Sequence, residues 1–124
     1  MLDLASREVV LRLLIEALVA ANVGHLRLHP EAPWLYASGV RYAEDAEDAE
    51  CWTDIPETIA RGVGACKDLV AWRLAELRVR AREEAAIPLV RFARVGHRVK
   101  FHVVVRRADG RVEDPSYELG LTVK

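Results

Sequence analysis

At Pro88 the hydrophobic pattern changes its period, and few folds accommodate such a change. Before Pro88 apolar residues recur at three- and four-residue spacing, which is helical. After it, LVRFARV, RVKFHVVVRR and RVEDPSYELGLTV are rich in β-branched and aromatic residues and are broken at Gly96 and at Asp109-Gly110. Helices first and strands last predict an α+β fold in which an antiparallel sheet of three to four strands packs on a helix. The 124 residues fit one domain, 1–124. A chain of this size buries roughly two thirds of the surface its unfolded state exposes, so its core needs neither metal nor disulfide.

The helical half divides into three helical segments and one long loop. From Ser6 to Asn22 the spacing of Val9, Val10, Leu13, Leu14, Ala17 and Val19 predicts a helix of about four turns, with Ser6 as N-cap and Gly24 as the stop. Residues 25–50 carry Pro30, Pro33 and Gly39 among aromatic residues and end in AEDAEDAE, which reads as a loop with a short helix. Thr53 to Arg61 reads as a short helix capped by Thr53 or Asp54, with Pro56 early and Gly62 at its end. Gly64, Ala65 and Cys66 then open the longest helical pattern, which runs on to Ala86. Leu69, Val70, Trp72, Leu74 and Leu77 cover more than one stripe of it, the mark of a helix surrounded by protein.

Charge and composition narrow the function classes. Arg12 and Glu16 interrupt the most apolar stretch, so no membrane span is expected, and Asp3 and Glu8 give the N-terminus the wrong sign for an export signal. A cytoplasmic, soluble protein is expected. Cys51 and Cys66 are too few for a disulfide scaffold, and with His25, His29 and His97 they match no zinc-ligand spacing, so no metal is expected. The net charge of −1 supplies no field that would recruit nucleic acid. Residues 44–57 nevertheless carry seven acids and no base, and residues 73–111 eleven bases against four acids. Either an acidic loop covers a basic face, or that face meets an acidic substrate or RNA.

Three residues could carry chemistry together. Cys66 stands at a helix start, where free amide hydrogens and the helix dipole favour a thiolate, and Gly62 and Gly64 before it permit close approach to a substrate. His102 lies within the strand FHVVV, and Asp114 precedes Pro115. Taken singly, these also fit a buried small residue, a half-buried strand histidine and an ordinary strand end. The hairpin joins two of them: a three-residue loop of Ala108, Asp109 and left-handed Gly110 sets Arg107 opposite Arg111 and Val104 opposite Asp114. His102 and Asp114 then share one face at a diagonal spacing, so the carboxylate can orient the imidazole.

The run WTDIPETIARGVGACKDLVAWRLAELR followed by FHVVVRRADGRVEDPSYELG resembles the core of the transglutaminase-like superfamily, and PEAPWLYASGVRYAEDAEDAECW is similar to the leader of small members found in tailed bacteriophages and prophages. Together they cover residues 30 to 120. The resemblance implies a papain-like fold with Cys66 as nucleophile, His102 as general base and Asp114 as third member. The oxyanion hole would combine the Cys66 amide with the Trp52 indole, Tyr42 being the second choice, and Trp34, Tyr36 and Tyr42 are cleft candidates. Substrates would be protein or peptide carboxamides, with an amine donor if the acyl group is transferred. No cofactor is expected, and calcium dependence is not carried over. Ala65 and Lys67 depart from the acids that members often carry there, whereas Asp68 matches. A noncatalytic module that binds phage structural or assembly proteins is the alternative on the same fold, and a homodimer is a further candidate partner state.

Overall fold

The computed structural model describes residues 3–44 and 51–121. Helix α3 (Cys66–Arg80) is its centre, with Leu69, Val70, Ala71, Trp72, Leu74, Ala75 and Leu77 all buried, as a helix with apolar residues all round requires. Helix α1 (Leu4–Leu28) packs along one side of it, and strands β3 (Ile87–Val95) and β4 (Arg98–Arg106) along another. With β5 (Val112–Glu113), these strands form an antiparallel sheet in the order β3-β4-β5. The fold class is therefore α+β, with a three-stranded antiparallel sheet. A short 3-10 turn (Leu35–Ala37), β1 (Arg41–Tyr42), α2 (Ile55–Arg61), β2 (Val63–Gly64) and α4 (Pro115–Glu118) complete it.

Several boundaries differ from the sequence expectation. Asp3, not Ser6, caps α1: its carboxylate accepts from the Ser6 N–H at 2.8 Å. Gly24 does not stop the helix, which continues to Leu28. A helical glycine costs about 1 kcal/mol relative to alanine. Burial of Leu26 on the stripe begun by Ile15, Val19 and Asn22 contributes about 1.5–3 kcal/mol and outweighs it. By length and hydropathy α1 is long and apolar enough to cross a bilayer, which corrects the expectation drawn from Arg12 and Glu16; Ile15, Val19, Asn22 and Leu26 form its buried stripe. Helix α3 ends at Arg80, short of Ala86, and Arg82 takes a left-handed conformation just beyond it.

Other features follow their local chemistry. Asp54 caps α2 by accepting from the Glu57 N–H at 3.1 Å, and Gly62 ends it in the left-handed region at φ 75°. The hairpin has the predicted register: Val105 pairs with Glu113, Arg106 with Val112, and the Arg107 N–H donates to the Arg111 carbonyl at 2.7 Å. Gly110 sits at φ 91°. Beyond Glu113 the expected strand is replaced by α4, because Asp114 followed by Pro115 is an N-cap followed by a residue suited to a first helical turn. The parallel pairing of β1 with β2, Arg41 against Val63 and Tyr42 against Gly64, had no signal in the hydrophobic pattern.

Candidate active site

Cys66 is the first residue of α3, preceded by Ala65 as N-cap. Ala65 has no side chain able to cap, and Asp68 compensates. Its carboxylate accepts from the Ala65 N–H at 3.3 Å and from the Thr53 N–H at 3.0 Å, tying the segment after Trp52 to the helix start. Lys67 is buried; its ammonium donates to the Cys51 carbonyl at 2.6 Å and lies 5.2 Å from the centre of the Trp52 ring. Lys67 thus anchors the backbone just before Trp52. The close approach at Gly64 is internal: a Cβ there would sit 2.9 Å from Leu69 Cδ2, so this glycine makes room for the helix's own side chain rather than for substrate.

The thiol differs from the sequence expectation. Burial pushes Cys66 above its ordinary value, and the N–H groups of Val103 and Lys67, with the Lys67 charge, only partly counter this. Desolvation therefore opposes the thiolate that the helix start would favour. Involvement of the Val103 N–H sets the sulfur beside β4 next to His102 in sequence.

His102 Nε2 and Asp114 Oδ2 lie 2.8 Å apart, with the two side chains 29% and 14% exposed. The second carboxylate oxygen, Oδ1, accepts from the Tyr117 N–H at 3.2 Å, so the helix cap and the histidine contact hold Asp114 from two directions. Nδ1 of the ring is not engaged by Asp114. Cys66 and His102 line one cleft of about 880 Å³, together with Trp52 and Tyr42. Val10, Leu11 and Leu14 of α1 give it an apolar wall, and Phe92 and Phe101 of the sheet also line it.

Trp34 and Tyr36 are not in this cleft. Trp34 lies against the Arg80 guanidinium at 5.3 Å, and Tyr36 lies under Arg73 at 4.8 Å with its hydroxyl donating to Glu113. Both aromatics are held by cations on α3, which the sequence spacing could not show. Cys51 is a half-buried thiol that accepts from the Arg61 guanidinium at 3.1 Å. The His25 and His29 rings stack at 4.7 Å, and among the described residues no three metal-ligating side chains come together. Of the acidic run, Glu44 pairs with Lys100 at 3.3 Å, and 45–50 lie outside the described residues.

An ionic network behind the site escaped the sequence reading. Arg73 of α3 donates to Glu76 at 2.7 Å and to Glu113 at 2.6 Å, and Arg107 pairs with Glu113 at 2.9 Å and with Glu83. Glu76 is wholly buried and accepts from the Leu35 N–H at 2.8 Å; burial raises its carboxyl above the usual range. Burial also opposes charge on Glu113, yet Arg73, Tyr36 and Arg107 hold its carboxyl below the usual range. The sequence signal was Arg73 and Glu76 at i,i+3 among the apolar residues in the middle of the helix. Comparison with protein families, with curated proteins and with solved structures finds no match for this chain.

Proposed function

We propose that this chain is a transglutaminase-like protein of papain-like fold, and that it performs thiol-dependent acyl transfer on protein or peptide carboxamides. The observation that carries the reading is the 2.8 Å contact of His102 with Asp114 in a ring that lines the same cleft as Cys66. The carboxylate accepts a hydrogen bond from Nε2–H and fixes the tautomer, which leaves Nδ1 as the basic nitrogen. Nδ1 takes the thiol proton as sulfur bonds to the carbonyl carbon. The oxyanion is stabilised by the Cys66 N–H and the Trp52 indole. The carbon–nitrogen bond breaks as the imidazolium returns its proton to the leaving amine, and a thioester remains on Cys66. An amine completes transamidation; water completes deamidation or hydrolysis.

A raised thiol suits this sequence of steps, because proton transfer to His102 then coincides with attack instead of preceding it. The test is alkylation with iodoacetamide near neutral pH. Cys66 should react faster than Cys51 and faster than Cys66 in a His102→Ala variant; equal rates in wild type and variant would overturn the reading. A noncatalytic protein-binding module is the second reading, favoured by the outer face of α1, where Leu13 is 65% and Val9 54% exposed.

A further inference from the structure

We infer that Glu113 is the positioning residue that sets Asp114, and through it His102, against the helix that bears Cys66; this rests on the acyl-transfer reading. Strand β5 has two residues, and Asp114 stands at its free end, where the chain turns into the four-residue α4. So short a ladder constrains the next residue weakly. The Glu113 carboxylate supplies what the ladder lacks. Oε2 accepts from Arg73 Nε at 2.6 Å and from the Tyr36 hydroxyl, and Oε1 accepts from Arg107 Nη1 at 2.9 Å and Arg73 Nη2 at 3.3 Å. Donors from α3, the 3-10 turn and the hairpin thus converge on one side chain that is 16% exposed.

The geometry reaches the site through α3. Arg73 follows Cys66 by seven residues, two helical turns, so both project from the same face about 10 Å apart along the axis. One end of that face carries the sulfur; the other grips the residue covalently joined to Asp114. The separation between sulfur and orienting carboxylate is therefore fixed by a rigid helix at one side and by the Arg73–Glu113 pair at the other. Without Glu113, Arg73 retains Glu76 and Arg107 retains Glu83, so the carboxylate can be removed without orphaning either guanidinium.

The experiment compares wild type, Glu113→Gln and Glu113→Ala by nitrogen-detected NMR of the His102 ring, identified by its loss in His102→Gln, and by iodoacetamide alkylation of Cys66. Wild type should show one ring tautomer, protonated at Nε2. In folded Glu113→Ala that signal should give way to mixed tautomers, and alkylation of Cys66 should slow about tenfold to a hundredfold, the loss expected of a misplaced catalytic group. Glu113→Gln, which still accepts from both arginines, should fall between. Glu16→Gln, which breaks the remote pair with Arg78, should lower the melting temperature while leaving the His102 spectrum unchanged. A folded Glu113→Ala with the wild-type spectrum overturns the assignment; if the Ala variant does not fold, a wild-type spectrum in Glu113→Gln does so. If Cys66 of wild type lacks His102-dependent reactivity, acyl transfer fails, while the tautomer comparison still decides the role of Glu113.

Discussion

Each member of the Cys66, His102 and Asp114 set is held by a different physical device, so their substitutions should differ in kind. Cys66→Ala should abolish thioester formation and leave the fold intact, because alanine is tolerated at a helix start. His102→Ala should lower turnover of a glutamine-peptide carboxamide by about 10²–10⁴, the usual contribution of general base catalysis. Asp114→Asn should be milder than Asp114→Ala, since its one amide oxygen can still accept from either Nε2 or the Tyr117 N–H. Turnover equal to wild type in Asp114→Ala, with circular dichroism confirming the fold, would reduce Asp114 to a helix cap. A pH dependence follows from Glu113. Its carboxyl is lowered in the folded state, so its stabilisation is present above the ordinary glutamate value near about 4.3 and is lost as pH falls through the folded one. Urea denaturation should show the stability gap between wild type and Glu113→Gln closing over that acidic window and constant at neutral pH.

Among the elements, α1 and the hairpin behave differently. The hairpin register was legible because a three-residue loop with Gly at the left-handed position admits one pairing, and a one-residue slip would have moved His102 and Asp114 to opposite faces. The length of α1 was not legible, because its continuation past Gly24 depends on what Leu26 meets in three dimensions. Gly24→Ala should raise stability by about 0.5–1 kcal/mol, since a Cβ there has nothing within 4 Å. Gly64→Ala should lower it, because the new methyl meets Leu69 and Thr58. Thermal melts of both variants check the pair; a drop for Gly24→Ala would mean that α1 is strained there. Leu14 lies on the apolar wall of the cleft, so Leu14→Glu should raise KM for an apolar peptide carboxamide more than it lowers kcat. An effect on kcat alone would remove α1 from substrate binding.

For the whole molecule, α3 has two separate roles: its apolar sides make the core and its N-terminus presents the thiol. Trp72 lies fully buried within it, and Trp72→Ala should cost about 3–5 kcal/mol, a large share of the roughly 5–15 kcal/mol that holds a domain together. Loss of cooperative unfolding in that variant is the expected result; an unchanged melting transition would show that the core does not rest on α3. What this sequence determines by itself is whatever is decided within a few residues: the helical and strand periods either side of Pro88, a cap at Thr53 or Asp54, the turn at Gly110 and the pairing of His102 with the Asp114 side of the hairpin. The tertiary structure alone decided that burial opposes a thiolate at Cys66, that Trp34 and Tyr36 turn to α3 cations, and that Glu113 gathers Arg73, Arg107 and Tyr36. Caps and turns use groups that the neighbouring backbone already supplies, whereas desolvation and ion pairing depend on which distant elements arrive beside a side chain, and that is set only when the core closes.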